Sequence, residues 1–135
     1  MVAVSLKKKK KKKKIRKKIK KKKKKKELKD NETNSRFDIK HQLPKDFVPY
    51  ANIPLQLELT FVYPPLKSWT KAKMKQLENG EVIYKTTKPD NDNLQKNIAD
   101  ILNGLVYTDD ALVSISVVKK IYGFTPRTEI VIKTL

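Results

Sequence analysis

The stretch KPDNDNLQKNIADILNG, residues 88–104, decides the fold. Pro89 disfavours helix at Lys88. Asn91 or Asp92 is a credible N-cap for a helix beginning there. Beyond the cap, Leu94, Ile98, Ile101, Leu102 and Leu105 recur at i, i+4, i+7, i+8 and i+11. That is an apolar stripe of helical period. Gly104 is well placed to end it.

Working outward, Leu55, Leu57, Leu59, Phe61 and Tyr63 alternate with Gln56, Glu58, Thr60 and Val62. A period of two predicts a strand with one buried face. Pro64-Pro65 stops it, and Ser68 can cap a short helix reaching Gln76 to Glu78, with Met74 and Leu77 inward. Asn79-Gly80 is a turn signal, and Val82-Ile83-Tyr84 is a short strand or an approach to the next segment. After the principal helix, residues 112–122 alternate with Val113, Ile115 and Val117 on one side. Gly123 to Pro126 turn the chain, and Thr128–Leu135 forms a last strand through Ile130 and Ile132. The order β, short α, weak β, α, β, β predicts one small α+β (mixed α/β) domain over residues 53–135.

The 135 residues suit one domain rather than two. Residues 7–26 hold seventeen Lys and one Arg, so nearly all of the net charge of +19 lies in the first thirty residues. The rest is close to neutral. Like charges at i,i+4 oppose helix in that run, and only Ile15 and Ile19 offer an apolar contact. Residues 1–30 therefore read as a poly-lysine tail, disordered or an isolated helix, and either a polyanion tether or a tail with no selected role. Residues 31–52 read as a linker, because Asn31, Asn34, Asp38, Pro44 and Pro49 interrupt any period. The lone histidine, His41, falls there as a surface residue. Tyr63, Trp69, Tyr84 and Tyr107 are spread over different elements, which favours core packing over base stacking. There is no cysteine, which excludes disulfides and thiolate metal sites. No apolar run approaches the roughly 18 residues of a membrane span. The opening Met-Val-Ala-Val-Ser-Leu is too short for a signal peptide, so a soluble cytoplasmic protein is expected.

Three carboxylates stand out: Asp90, Asp92 and Asp110. Asp90 and Asp92 flank one residue just before the principal helix; Asp110, with Asp109, comes after that helix at the mouth of the next strand. A helix of about thirteen residues runs ~20 Å, so the chain must fold back for the groups to meet. If they meet, hard oxygen donors suit Mg²⁺, which keeps several waters, activates water and neutralises charge on a phosphodiester. Lys96 lies four residues after Asp92 on the same side of the helix start, where its ammonium can contact the scissile phosphate. Lys88, Lys119 and Lys120 supply further positive charge. Asp-x-Asp before a helix also serves plain capping, and Asp-Asp between elements is often a solvated turn.

Residues 88–96, with Ile101-Leu-Asn-Gly-Leu-Val-Tyr-Thr-Asp-Asp-Ala-Leu-Val113, resemble the signature of the RusA family of Holliday junction resolvases. The similarity continues through Val118-Lys119-Lys120 and Pro126-Arg127-Thr128-Glu129-Ile130, and upstream through the strand at 53–63 to Trp69. It implies an endodeoxyribonuclease of DNA recombination and repair: a homodimer that binds four-way junctions in branched DNA and nicks opposing strands with Mg²⁺. By position, Asp90, Asp92 and Asp110 become the metal-binding catalytic carboxylates and Lys96 the catalytic lysine. Asn93 and Asp109 support them, and Lys88, Lys119 and Lys120 contact DNA. The family's opening strand and helix have no visible counterpart ahead of residue 53. The competing expectation is therefore an inactive or truncated member that only binds DNA or other polyanions.

Overall fold

The computed structural model describes residues 1–7 and 34–135. Four strands form one mixed sheet: β1 (Val2–Lys7), β2 (Leu55–Tyr63), β3 (Val113–Tyr122) and β4 (Arg127–Thr134). Their spatial order is β1-β4-β2-β3. β4 is antiparallel to both neighbours, whereas β2 and β3 are parallel. A parallel pair needs a crossover, and residues 64–112 supply it. Residues 34–42 form α1. The crossover carries α2 (Lys71–Glu78) and α3 (Asn91–Leu102), then a 3₁₀ turn over Asp110–Leu112.

The core sits between the sheet and the helices. Leu55, Leu57, Leu59 and Phe61 of β2 meet Ile130 and Ile132 of β4, and Ile98 and Leu102 of α3 close over them. Both periodicities read from the sequence are thus present, and the architecture is α+β. Capping differs slightly at α2. Thr70, not Ser68, is its N-cap, with the hydroxyl accepting from the Lys73 amide at 3.3 Å. Residues 82–84 form no full strand; Tyr84 makes a single bridge to Ile121.

Three expectations are corrected. The first residues are not a tail: Val2 and Val4 are buried, and β1 pairs with β4 from Val2↔Ile132 to Lys7↔Arg127. Nor are residues 31–52 simply a linker. Ile39 of α1 is fully buried in the core, and Tyr50 bridges to Tyr107. An opening strand and helix therefore do precede β2, and the lysine-rich run joins them. The expectation of disorder or helix for that run falls on residues 8–33, outside the described residues. The third correction concerns β3. Its register slips between Leu55↔Val113 and Gln56↔Ile115, leaving Ser114 as a bulge. One extra residue inverts the facing of every later residue in the strand. Val113 faces the core, but Ile115 and Val117 are 45% and 37% exposed on the sheet's other side. Among the described residues no helix is long and apolar enough to cross a membrane.

Candidate functional site

Asp90 is the N-cap of α3, in extended conformation, and its side chain makes no capping hydrogen bond. Asp92 lies in the first turn. Both are exposed, so both carboxylates are open to an incoming ligand beside the positive end of the helix. Plain side-chain capping does not account for Asp90.

The helix start is tied to β3. The Asn91 side-chain Nδ2 donates to the Val118 carbonyl at 3.4 Å, and the Gln95 side-chain Nε2 donates to the Ser116 hydroxyl at 2.8 Å. α3 thus runs antiparallel to β3. Lys120 donates through Nζ to the carbonyl oxygens of Thr87 and Pro89, at 2.8 Å each. Lys119 points to the opposite face, as alternation along a strand requires. There its charge helps hold the Glu58 carboxyl below its ordinary range, an effect owed first to the hydrogen bond from Lys133. The adjacent lysines, alike in sequence, have different surroundings.

Asp109 and Asp110 stand near the other end of α3. Asp109 caps the 3₁₀ turn, accepting from the Ala111 amide at 3.0 Å. That bond, and a second from the Asp110 side chain, lower the Asp109 carboxyl. Asp110 is raised, first by the hydrogen bond it shares with Asp109, then by desolvation and by the charges of Asp109 and Asp100. The two neighbouring carboxyls are thus pushed in opposite directions, Asp109 down and Asp110 up. Beneath them Tyr107 is fully buried, donating to the Ala99 carbonyl at 3.0 Å. Burial, then Asp110, Asp100 and Asp109, raise its hydroxyl well above the ordinary range.

The expected gathering of Asp90, Asp92 and Asp110 does not occur within one chain. Among the described residues no group of three or more His, Cys, Asp or Glu is placed to hold a metal ion. α3 separates the two carboxylate pairs, since Asn91 lies against Val118 while Asp110 precedes the start of β3. Two carboxylates with hard oxygens still suit Mg²⁺, which is commonly held by one or two carboxylates plus substrate phosphates and waters.

Lys96 and Asn93 are exposed on the first turns of α3, and Lys88 is exposed before it. Asp100, not singled out from the sequence, completes an i, i+4, i+8 row with Asp92 and Lys96; that spacing was the available signal. The lysines of α2, Lys71, Lys73 and Lys75, were also passed over, and all are exposed. Lys73 lies 4.5 Å from the Trp69 ring centroid, and Lys85 lies 5.1 Å from that of Tyr63. Trp69 packs edge-on to Tyr122 at 4.7 Å. The aromatics largely pack as expected, except Tyr84, which is 64% exposed. His41 is exposed on α1, edge-on to Phe37.

A sequence model of the family described as endodeoxyribonuclease RusA matches residues 10–133. The chain is also 38% identical over 82 residues to the uncharacterized protein YqaN of Bacillus subtilis (strain 168). That match covers 59% of this chain and 57% of the relative, so the chain spans under two thirds of the relative's length. No solved structure matches. With the family match running from the lysine-rich segment to the last strand, the chain belongs to the RusA endodeoxyribonuclease family.

Proposed function

We propose that this protein is a Mg²⁺-dependent endonuclease that resolves four-way DNA junctions as a homodimer, acting in the cytoplasm in recombination and repair. The observation that carries the reading is the open Asp90 and Asp92 pair at the start of α3, in a chain of this family. Asp90 and Asp92 would hold the ion, and Asp110, kept at the far end of α3 within one chain, is read as the third carboxylate, supplied across the homodimer. Bound there, Mg²⁺ supplies an activated water and neutralises charge on the scissile phosphate. Lys96, one turn after Asp92, faces the same phosphate and offsets negative charge as it develops. Asn93 and Asp109 support the two carboxylate turns. Lys88 and the exposed lysines of α2 hold the DNA backbone, and that contact weakens with salt. A two-fold dimer presents two equivalent sites to two strands of a junction.

The purely binding alternative drew its force from a missing opening strand and helix, and β1 and α1 are both present. The test is substitution of Asp90 and Asp92 by Asn, one at a time. Each variant is expected to abolish Mg²⁺-dependent cleavage of a synthetic junction while retaining junction binding in EDTA. Cleavage at the wild-type rate by both variants would remove the assigned site.

A further inference from the structure

Lys120 donates to the carbonyls of Thr87 and Pro89, the second belonging to the residue immediately before Asp90. Its position on β3 is itself fixed. The Lys85 amide donates to the Lys120 carbonyl, and the Tyr122 amide donates to the Ile83 carbonyl, each at 2.9 Å. The loop from Ile83 to Asn91 is therefore tied to β3 along its length, and the tie nearest Asp90 is the Lys120 ammonium. A lysine ammonium has three protons to donate, and two of them are engaged here. The Pro89 carbonyl and the Asp90 nitrogen belong to one planar peptide. Holding that oxygen therefore sets the direction in which the chain enters Asp90 and the first turn of α3.

We propose that Lys120 is a positioning residue for Asp90 and Asp92, not a contact to DNA. It rests on the reading that these two carboxylates hold Mg²⁺. Lys120 staples the Thr87–Pro89 turn so that the two carboxylates are presented together. Groups that orient metal ligands in this way change metal affinity roughly 10- to 100-fold when removed. A contact to one phosphate behaves differently. Its loss lowers the log–log salt slope of DNA binding by about 0.9 and leaves metal affinity alone.

The test uses the full chain with Lys120→Met and Lys120→Arg. Binding of Mn²⁺ is read by electron paramagnetic resonance without DNA, and junction affinity is read in EDTA over a range of salt. Lys120→Met is expected to weaken Mn²⁺ binding roughly 10- to 100-fold, with affinity for the junction and its salt slope unchanged. Lys120→Arg, which keeps a charged donor, is expected to restore most of the metal affinity. Unchanged Mn²⁺ affinity in Lys120→Met, or a fall in salt slope in its place, overturns the proposal while leaving the Asp90 and Asp92 reading intact. Wild type whose Mn²⁺ binding is insensitive to Asp92→Asn would overturn both, and that result is visible without any Lys120 variant. Should Lys120→Met fail to fold, nitrogen-15 spectra of the wild-type lysine ammonium groups decide. One slowly exchanging Nζ, absent in Lys120→Arg, is expected; rapid exchange at every lysine would overturn the proposal.

Discussion

The Arg36 guanidinium donates to the Ile101 carbonyl at 3.1 Å and to the Asn103 carbonyl at 3.2 Å, docking α1 onto the end of α3. The Ile101 carbonyl lies in the last turn of α3 and the Asn103 carbonyl on its C-cap, where acceptors lack partners within the helix and a cation is favoured. Arg36→Ala leaves them to water and is expected to cost up to roughly 1.5–3 kcal/mol, the range for hydrogen bonds to charged groups. Thermal or urea denaturation measures it. No loss of stability would mean that α1 is not part of the folded unit.

The first strand makes a second prediction. β1 covers the edge of β4, where Ile130 and Ile132 are fully buried. Deleting residues 1–7 would expose that edge to pairing with other chains. A lower melting temperature and larger species on size-exclusion chromatography are expected. A monodisperse, equally stable truncation would contradict the pairing.

Gly123 directly succeeds β3 and sits against β2. A Cβ there would lie 2.6 Å from Val62 Cγ1, and Val62 is buried. Gly123→Ala is expected to destabilise by about 1–3 kcal/mol through overpacking. Combining it with Val62→Ala should recover part of that loss, because contacting residues are not additive. Additive costs in the double-mutant cycle would place the strain elsewhere.

The raised Asp110 carboxyl gives cleavage a pH signature. Asp110 is raised, so it keeps its proton at a pH where an ordinary aspartate has lost it. A metal ligand must be deprotonated, so the acid limb of cleavage should lie above the usual aspartate range. Asp109→Asn removes the neighbouring charge that helps raise Asp110, and the limb should move to lower pH. The stability contributions run in opposite senses. The raised Asp110 favours the fold at low pH and loses that effect as pH rises through its folded value; the lowered Asp109 does the reverse. An acid limb unmoved in Asp109→Asn would detach this pair from the reaction.

An element is legible in the sequence where a single period governs it. The alternation of Leu55 to Tyr63 and the stripe from Leu94 to Leu105 each reflect one face on one core, and both elements are present. β1 was hidden because its partner, β4, is more than a hundred residues away and the lysine run beside it dominates the composition. α1 was hidden because Ile39 is its one buried residue, and one residue makes no stripe. The facing of Ile115 and Val117 depended on the bulge at Ser114, a property of pairing rather than of local pattern. At the site, the Asp-x-Asp pair was legible from spacing. That α3 keeps Asp110 apart from it depends on how the helix lies along β3. The difference between Lys119 and Lys120 depends on which side of the sheet carries the helices.

The most direct test of the account is incubation of the full chain with an end-labelled synthetic four-way junction, in Mg²⁺ and in EDTA, beside the Asp92→Asn variant. The account predicts paired nicks on opposing strands that require both Mg²⁺ and Asp92. Tight junction binding with no nick under any divalent ion, or nicks that survive Asp92→Asn, would contradict it.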